Sequence, residues 1–191
     1  RLPGRIGLYL ALTGARLKAA DLIYCGLATH YVPTARLGEL TQALGGEMPA
    51  AALERFAADP GPAPLAELRE AIDRCFGESG VEAILAALER ERADWADQTA
   101  TALRQKAPLA LKVASRQLER GAGLDFEDCM TMEYRLSQAF MAGDDFFEGV
   151  RALIIDKDMK PAWRPARLAE VDEAMVEACF APLGPYELTF D

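Results

Sequence analysis

Met-Glu-Tyr-Arg-Leu-Ser-Gln-Ala-Phe-Met-Ala-Gly-Asp-Asp-Phe-Phe-Glu-Gly-Val-Arg-Ala-Leu-Ile-Ile-Asp-Lys-Asp-Met-Lys-Pro-Ala-Trp, residues 132–163, is the stretch that decides the fold. It reads as helix, acidic turn, helix and basic loop. Gly143 is expected to stop the first helix at the position that favours a left-handed residue. Asp144 or Asp145 then stands where an N-cap is wanted. Glu148 follows Asp145 by three, which fits a capping box with Asp in place of Ser or Thr. Phe146, Val150, Leu153 and Ile154 recur at helical spacing and predict one buried stripe. Pro161 bounds the run, since proline cannot continue a helix.

Outward from this stretch the pattern stays helical. Pro3 stands at a helix start and Gly14 just past its end. Between them Ile6, Leu8, Leu10, Leu12 and Thr13 make that helix apolar nearly all round. Such a helix should be buried against a partner outside this chain, and alone it should expose a large apolar patch. Lys18 to Cys25 predicts a short helix closed by Gly26. Residues 27–32 alternate like a short strand ended by Pro33, the one strand expected here.

Residues 34–106 carry five helical patterns, marked by Leu37/Leu40/Leu44, Leu53/Phe56, Leu65/Leu68/Ile72/Phe76, Val81/Ile84/Leu85/Leu88 and Trp95/Thr99/Leu103. The breaks between them fall at Gly45-Gly46, around Pro60 and Pro62, and between Gly77 and Gly80, with Ser79 expected to cap the fourth helix. Pro108 opens a further helix. Asp125 is placed to cap a long one, whose 17 residues would span about 25 Å. Residues 168–180 read as a last amphipathic helix. The fold class is mainly α, well above the usual third of residues in helix.

The chain has 191 residues and a net charge of −9, with a pI near 4.8. That balance argues against a broad nucleic-acid or membrane surface, so an anionic ligand needs a local basic patch. No apolar run is long enough to cross a bilayer. Sixteen arginines to five lysines, with abundant alanine, suggest a GC-rich bacterial source. Cys25, Cys75, Cys129 and Cys179 are widely spaced with no Cys-x-x-Cys pair. They read as reduced, mostly buried thiols rather than a metal site or disulfides. The chain opens at Arg1, inside a helix-start pattern, and is expected to be a piece of a longer polypeptide.

No self-contained catalytic set emerges. There is no phosphate-cradling glycine loop and no Gly-x-Ser-x-Gly elbow. His30 is the sole imidazole and has no nucleophile beside it in sequence, which favours a structural role. Glu54, Glu67, Glu70, Glu82, Glu89 and Glu91 fall on polar helix faces. Asp144, Asp145 and Glu148 could do acid–base work, but their place at a helix start explains them as caps and dipole partners. Residues 156–167 hold four cations (Lys157, Lys160, Arg164, Arg167) against two acids. Trp163 could stack on a base or pack the loop.

Two segments carry a resemblance. Asp-Asp-Phe-Phe-Glu-Gly-Val-Arg-Ala, then Asp-Lys and Lys-Pro-Ala-Trp, resemble the C-terminal signature of the crotonase (enoyl-CoA hydratase/isomerase) superfamily. The fuller run from Met132 is similar to one branch, the 3-hydroxyisobutyryl-CoA hydrolases. At the front, residues 1–14, 17–21 and 26–32 resemble the segment that follows the active-site strand in that family. The two matches bracket nearly the whole chain in the right order.

The resemblance implies three segments: 1–33 as the end of the crotonase core, 34–106 as a helical insertion, and 107–191 as a helical region over the active site and coenzyme A pocket. The long insertion favours the hydrolase branch, because simple hydratases join these segments by a shorter link. The expected activity is acyl-CoA thioester hydrolysis in valine breakdown. The alternatives are an enoyl-CoA hydratase or isomerase, or a non-catalytic helical interaction module.

In the family the oxyanion donors and the catalytic carboxylates precede the residue matching Arg1. No catalytic residue is therefore assigned in this chain, and the fragment alone is expected to be inactive. Lys157, Lys160 and Trp163 are the candidate contacts to coenzyme A, which enters as part of the substrate. No separate cofactor and no metal are expected. Further partners are the N-terminal crotonase half and a second copy in a homo-oligomer, with neither nucleic acid nor membrane. The expected location is cytoplasmic if bacterial, the mitochondrial matrix if eukaryotic.

Overall fold

The computed structural model describes residues 2–190. Eleven α-helices follow in order among them: α1 Ile6–Thr13, α2 Ala19–Tyr24, α3 Leu37–Leu44, α4 Pro49–Phe56, α5 Pro64–Cys75, α6 Val81–Glu91, α7 Asp94–Arg104, α8 Pro108–Gly121, α9 Phe126–Ala142, α10 Asp145–Val150 and α11 Glu173–Ala178. Short 3-10 turns stand at Thr34–Arg36, Leu168–Glu170 and Gly184–Tyr186, and a π-helical turn at Arg151–Ile155 continues α10. Helical turns of all kinds account for 64% of the described residues, which bears out the mainly α reading.

Local chemistry sets several of these boundaries. Proline occupies the first turn of α4, α5 and α8, where its missing N–H costs nothing. Gly14 adopts φ +66° beyond α1 and returns its N–H to the Leu10 carbonyl. Asp125 caps the 17-residue α9 by accepting the Asp128 N–H. The cap of α6 is Gly80, at φ +89°, rather than Ser79.

The main core joins α1 to α5, α6, α7 and α8. Ile6, Ile72, Phe76, Ile84, Leu88 and Leu103 are fully buried there, with Tyr9 and Leu12 beside them. Tyr9 meets Phe76 edge-on, with centroids 5.4 Å apart. Burying each such side chain contributes roughly 1.5–3 kcal/mol, so this cluster dominates the stability of the unit. α8 is shared: Leu111 enters the main core, whereas Val113 enters a second cluster with Met132 and Leu136 of α9, Val176 of α11 and Phe180. A satellite of Leu40, Ala52 and Phe56 joins α3 to α4. Arg36 and Arg55 place their guanidinia 4.6 and 4.7 Å from the Phe56 ring centre.

Four further expectations about helices and strands are corrected. Residues 27–32 form no strand. A strand needs a ladder partner, and the one bond made by the backbone of this segment to a distant residue is the Ala58 N–H donated to the Tyr31 carbonyl. The last helix is broken, because Asp172 turns its side chain to the Met175 N–H and starts α11 afresh. Gly143 is extended (φ −94°, ψ 173°), not left-handed. Finally, α1 buries Ile6, Tyr9 and Leu12 against this chain's own α5, α7 and α8, so its apolar character is largely met within the unit.

Candidate functional site

The segment 144–166 is shaped by polar contacts rather than by apolar burial. Glu148 was expected to cap α10, but its carboxylate faces the other way. It takes two bonds from Arg151, Nε to Oε2 at 2.9 Å and Nη2 to Oε1 at 2.8 Å, and the Ala162 N–H at 2.7 Å. Asp145 likewise accepts the Arg164 N–H at 2.8 Å. Neither carboxylate caps the helix. Together they fasten the basic loop back onto the helix that precedes it.

Arg151 is the hub. Its Nη1 donates to Asp156 Oδ2 at 2.6 Å and to Asp158 Oδ2 at 2.8 Å, and its Nη2 also donates to the Lys160 carbonyl at 3.2 Å. The guanidinium fork suits several oxygens at once in a way that an ammonium does not. The hydrogen bonds from Arg151, then that from the Ala162 N–H, pull the Glu148 carboxyl down to about 2. Asp158 is lowered by Arg151 and by the Lys160 N–H. These acids are held ionised as structural acceptors, which removes them as proton donors near neutrality.

The loop itself is irregular. Lys157 and Met159 sit in left-handed backbone at φ +55° and +57°, which costs roughly 1 kcal/mol or more for a side chain with a Cβ. Asp158 lies between them, with both carboxylate oxygens engaged.

Trp163 closes the arrangement. Its indole Nε1 donates to the Gln105 carbonyl at 3.0 Å, across 58 residues of sequence. A Cβ at Gly149 would lie 3.3 Å from the edge of the indole, so glycine is what lets the ring rest on the helix. The ring thus bridges α10 and the junction between α7 and α8. Beside it opens a cleft of about 1170 Å3. Its walls are Ala107, Ala110, Phe140, Phe146, Val150, Leu153, Ile154, Met159, Pro161 and Trp163, and Arg104, Gln105, Lys106 and Asp145 supply polar groups. An apolar cleft with a few convergent polar groups is the usual form of a small-molecule site.

Phe146, Leu153 and Ile154 were expected to be a buried stripe. They are 46%, 58% and 60% exposed, with Ile155 at 69%. Two causes combine. The Asp156 N–H reaches back five residues to the Arg151 carbonyl, and this π turn shifts the register after Val150. Nothing among the described residues covers that face.

Of the three candidate contacts, Trp163 lines the cleft, while Lys157 and Lys160 stand exposed on the loop that forms one of its walls. His30 lies outside the cleft, exposed, with Nδ1 2.8 Å from its neighbour Thr29 Oγ1. The four cysteines are free. Burial pushes the thiols of Cys25, Cys75 and Cys179 up, which keeps them protonated. Sequence reasoning missed Arg104 and Lys106. The visible signal was a pair of cations just before Pro108, at the joint between two helices.

The sequence model described as enoyl-CoA hydratase/isomerase matches residues 1–180. The chain belongs to this family. It is 42% identical over 199 residues to the mitochondrial 3-hydroxyisobutyryl-CoA hydrolase of Xenopus laevis, covering 98% of this chain and 52% of that protein. To the corresponding Homo sapiens protein it is 38% identical, covering 100% and 52%. A crystal structure of a carnitinyl-CoA dehydratase from Mycobacterium thermoresistibile matches with a TM-score of 0.94 and 44% identity, covering 100% of this chain and 55% of that one. An enoyl-CoA hydratase from Rhodobacter sphaeroides matches at 0.84 and 38% identity. The chain spans about half the length of the family relatives it matches. Both crystal structures align over the whole of this chain, residues 34–106 included.

Proposed function

We propose that this chain is the cleft-bearing part of an acyl-CoA thioester hydrolase, with 3-hydroxyisobutyryl-CoA of valine breakdown as substrate. The observation that carries the reading is its identity, along nearly its whole length, to relatives named for that reaction. The cleft suits the reading, because coenzyme A has an apolar arm and a polyanionic end. Trp163 offers an aromatic face beside the apolar walls. Lys106, Lys157 and Lys160 supply cations on or beside the rim, and none of the three forms an ion pair among the described residues.

In the reaction, the oxygen of water bonds to the thioester carbonyl carbon, the C–S bond breaks, and the thiolate leaves as coenzyme A with a proton. The developing oxyanion needs fixed N–H donors, and water needs a carboxylate partner. Both are proposed to lie on residues that precede this chain. That part of the protein is proposed to cover Phe146, Leu153, Ile154 and Ile155. No cofactor beyond the substrate's own coenzyme A is required. The proposed location is the cytoplasm in a bacterium and the mitochondrial matrix in a eukaryote, and a homo-oligomer is compatible with the open apolar face.

The second reading is hydration or dehydration of an enoyl-CoA, favoured by the names of the two crystal structures. Product analysis separates the two. Given 3-hydroxyisobutyryl-CoA, the full-length protein should release free thiol and hydroxy acid. Given an enoyl-CoA, it should leave the conjugated double bond intact. Loss of the conjugated absorbance without thiol release would assign the hydratase reaction instead.

A further inference from the structure

We propose that Arg151 is a positioning residue that sets one wall of the cleft and, through it, recognition of the nucleotide end of coenzyme A. The inference rests on the acyl-CoA reading above. Met159, Pro161, Ala162 and Trp163 all line the cleft, and all lie on the irregular loop. No backbone ladder shapes that loop. One main-chain bond reaches it, the Met159 N–H donated to the Ala152 carbonyl at 3.1 Å, and Trp163 is tied to the Gln105 carbonyl; the rest of its form depends on side chains that reach it from α10 and the π turn.

Arg151 makes most of those contacts. It holds Asp156, Asp158 and the Lys160 carbonyl at once, and it holds Glu148, which in turn grips the Ala162 N–H. The two left-handed residues, Lys157 and Met159, flank Asp158. A conformation of that kind persists where the surroundings over-determine it. Removing the guanidinium frees Asp156, Asp158 and Lys160 together and leaves Lys157 and Met159 to relax toward ordinary backbone. Met159 is then held by its N–H to the Ala152 carbonyl alone, so its side chain shifts in the wall, and the cations at 157 and 160 lose their common frame. The guanidinium is spent on protein oxygens, so Arg151 acts through the loop and not by touching ligand. A lysine there keeps the charge but cannot span three carboxylates and a carbonyl.

The two ends of the ligand meet different parts of the cleft. The basic loop concerns the phosphates, whereas the pantetheine arm is assigned to the apolar walls of α8, α9 and α10, at Ala110, Phe140, Phe146 and Val150, which Arg151 does not order. The experiment measures binding of coenzyme A and of pantetheine, which lacks the nucleotide, to the full-length protein and to its Arg151→Ala and Arg151→Lys variants by calorimetry. Arg151→Ala should weaken coenzyme A about tenfold by loosening a preorganised wall, and pantetheine less than about twofold. Arg151→Lys should fall between.

Equal loss for both ligands would mean a global defect and overturn the proposal, as would unchanged affinity for coenzyme A. Should Arg151→Ala fail to fold, Asp158→Ala removes one arm of the clasp and should show the same selectivity at smaller size. No selectivity in that variant would also overturn the proposal. A wild-type protein that binds no coenzyme A would instead sink the acyl-CoA reading, a result distinct from wild-type binding that Arg151→Ala leaves intact.

Discussion

The helical core around α1 and α5–α8 and the loop after α10 lie in one chain but are held by opposite means. In the core, Ile6, Ile72, Ile84, Leu88 and Leu103 are fully buried, and their stability comes from apolar area removed from water. After α10 the balance inverts. Leu153, Ile154 and Ile155 face solvent, while Arg151, Glu148 and Asp158 bind one another and the loop backbone. The contrast shows that the loop wall of the cleft is not held by a core beneath it. It is held by charge-assisted hydrogen bonds, so the two regions should answer to different perturbations.

The largest expected effect is in the core. Leu103→Ala removes a fully buried side chain between α7 and its neighbours and should cost about 2–5 kcal/mol in urea unfolding. The fluorescence of a ligand in the cleft should change only as the fold is lost. A cost below about 1 kcal/mol would mean that this core relaxes freely around a cavity, contrary to its close packing.

Acid should act on the loop after α10. The folded carboxyl of Glu148 lies at about 2, below its usual 4.5. A depressed carboxyl stabilises fully above its unfolded value, and this contribution is lost as pH falls from 4.5 toward about 2. Asp158 shifts in the same direction. Carbon-detected NMR of the Glu148 carboxyl, with Trp163 indole shifts as a reporter, should show the loop loosening within that window. A Glu148 carboxyl that titrates at its usual 4.5 would break the comparison, because the clasp would then be absent in solution.

Smaller effects are expected at the exposed cations. In the full-length protein, Lys157→Ala and Lys160→Ala should each raise KM about threefold to tenfold at low salt with little change in kcat. The loss should shrink as salt screens the phosphates. Wild-type KM at low salt in both variants would reduce these lysines to a solvated surface. A fall in kcat alone would place them near the chemistry.

How far the sequence reveals each region follows the same division. Leu65, Leu68, Ile72 and Phe76 predict α5 because a buried face imposes its period on nearby residues. Pro64, Pro108 and Asp125 mark helix starts for reasons local to the backbone. Around the cleft the deciding partners are remote. Spacing made Asp145 and Glu148 look like caps, and nothing in the spacing reveals that Arg164 and Ala162 claim those oxygens. Trp163 could pack or stack, and its anchor at Gln105 lies 58 residues away. The stripe at Phe146, Val150, Leu153 and Ile154 assumed an unbroken α-helix, but a π turn intervenes. Alternation at residues 27–32 suggested a strand, yet alternation cannot supply the partner a strand needs.

The smallest stability effect belongs to the open apolar face. Ile154→Ser should shift the stability of the 191-residue chain by less than about 0.5 kcal/mol, while lowering the binding of a hydrophobic dye. A large destabilisation would show that Ile154 is covered in solution, by self-association or by a rearranged loop.

The most direct test of the account compares turnover of 3-hydroxyisobutyryl-CoA by the full-length protein and by the 191-residue chain, each followed by thiol release. The full-length protein should hydrolyse the thioester, and the chain alone should show no release above background. Turnover by the chain alone would contradict the account, because it would place the oxyanion donors and the carboxylate partner among residues here assigned to binding and structure.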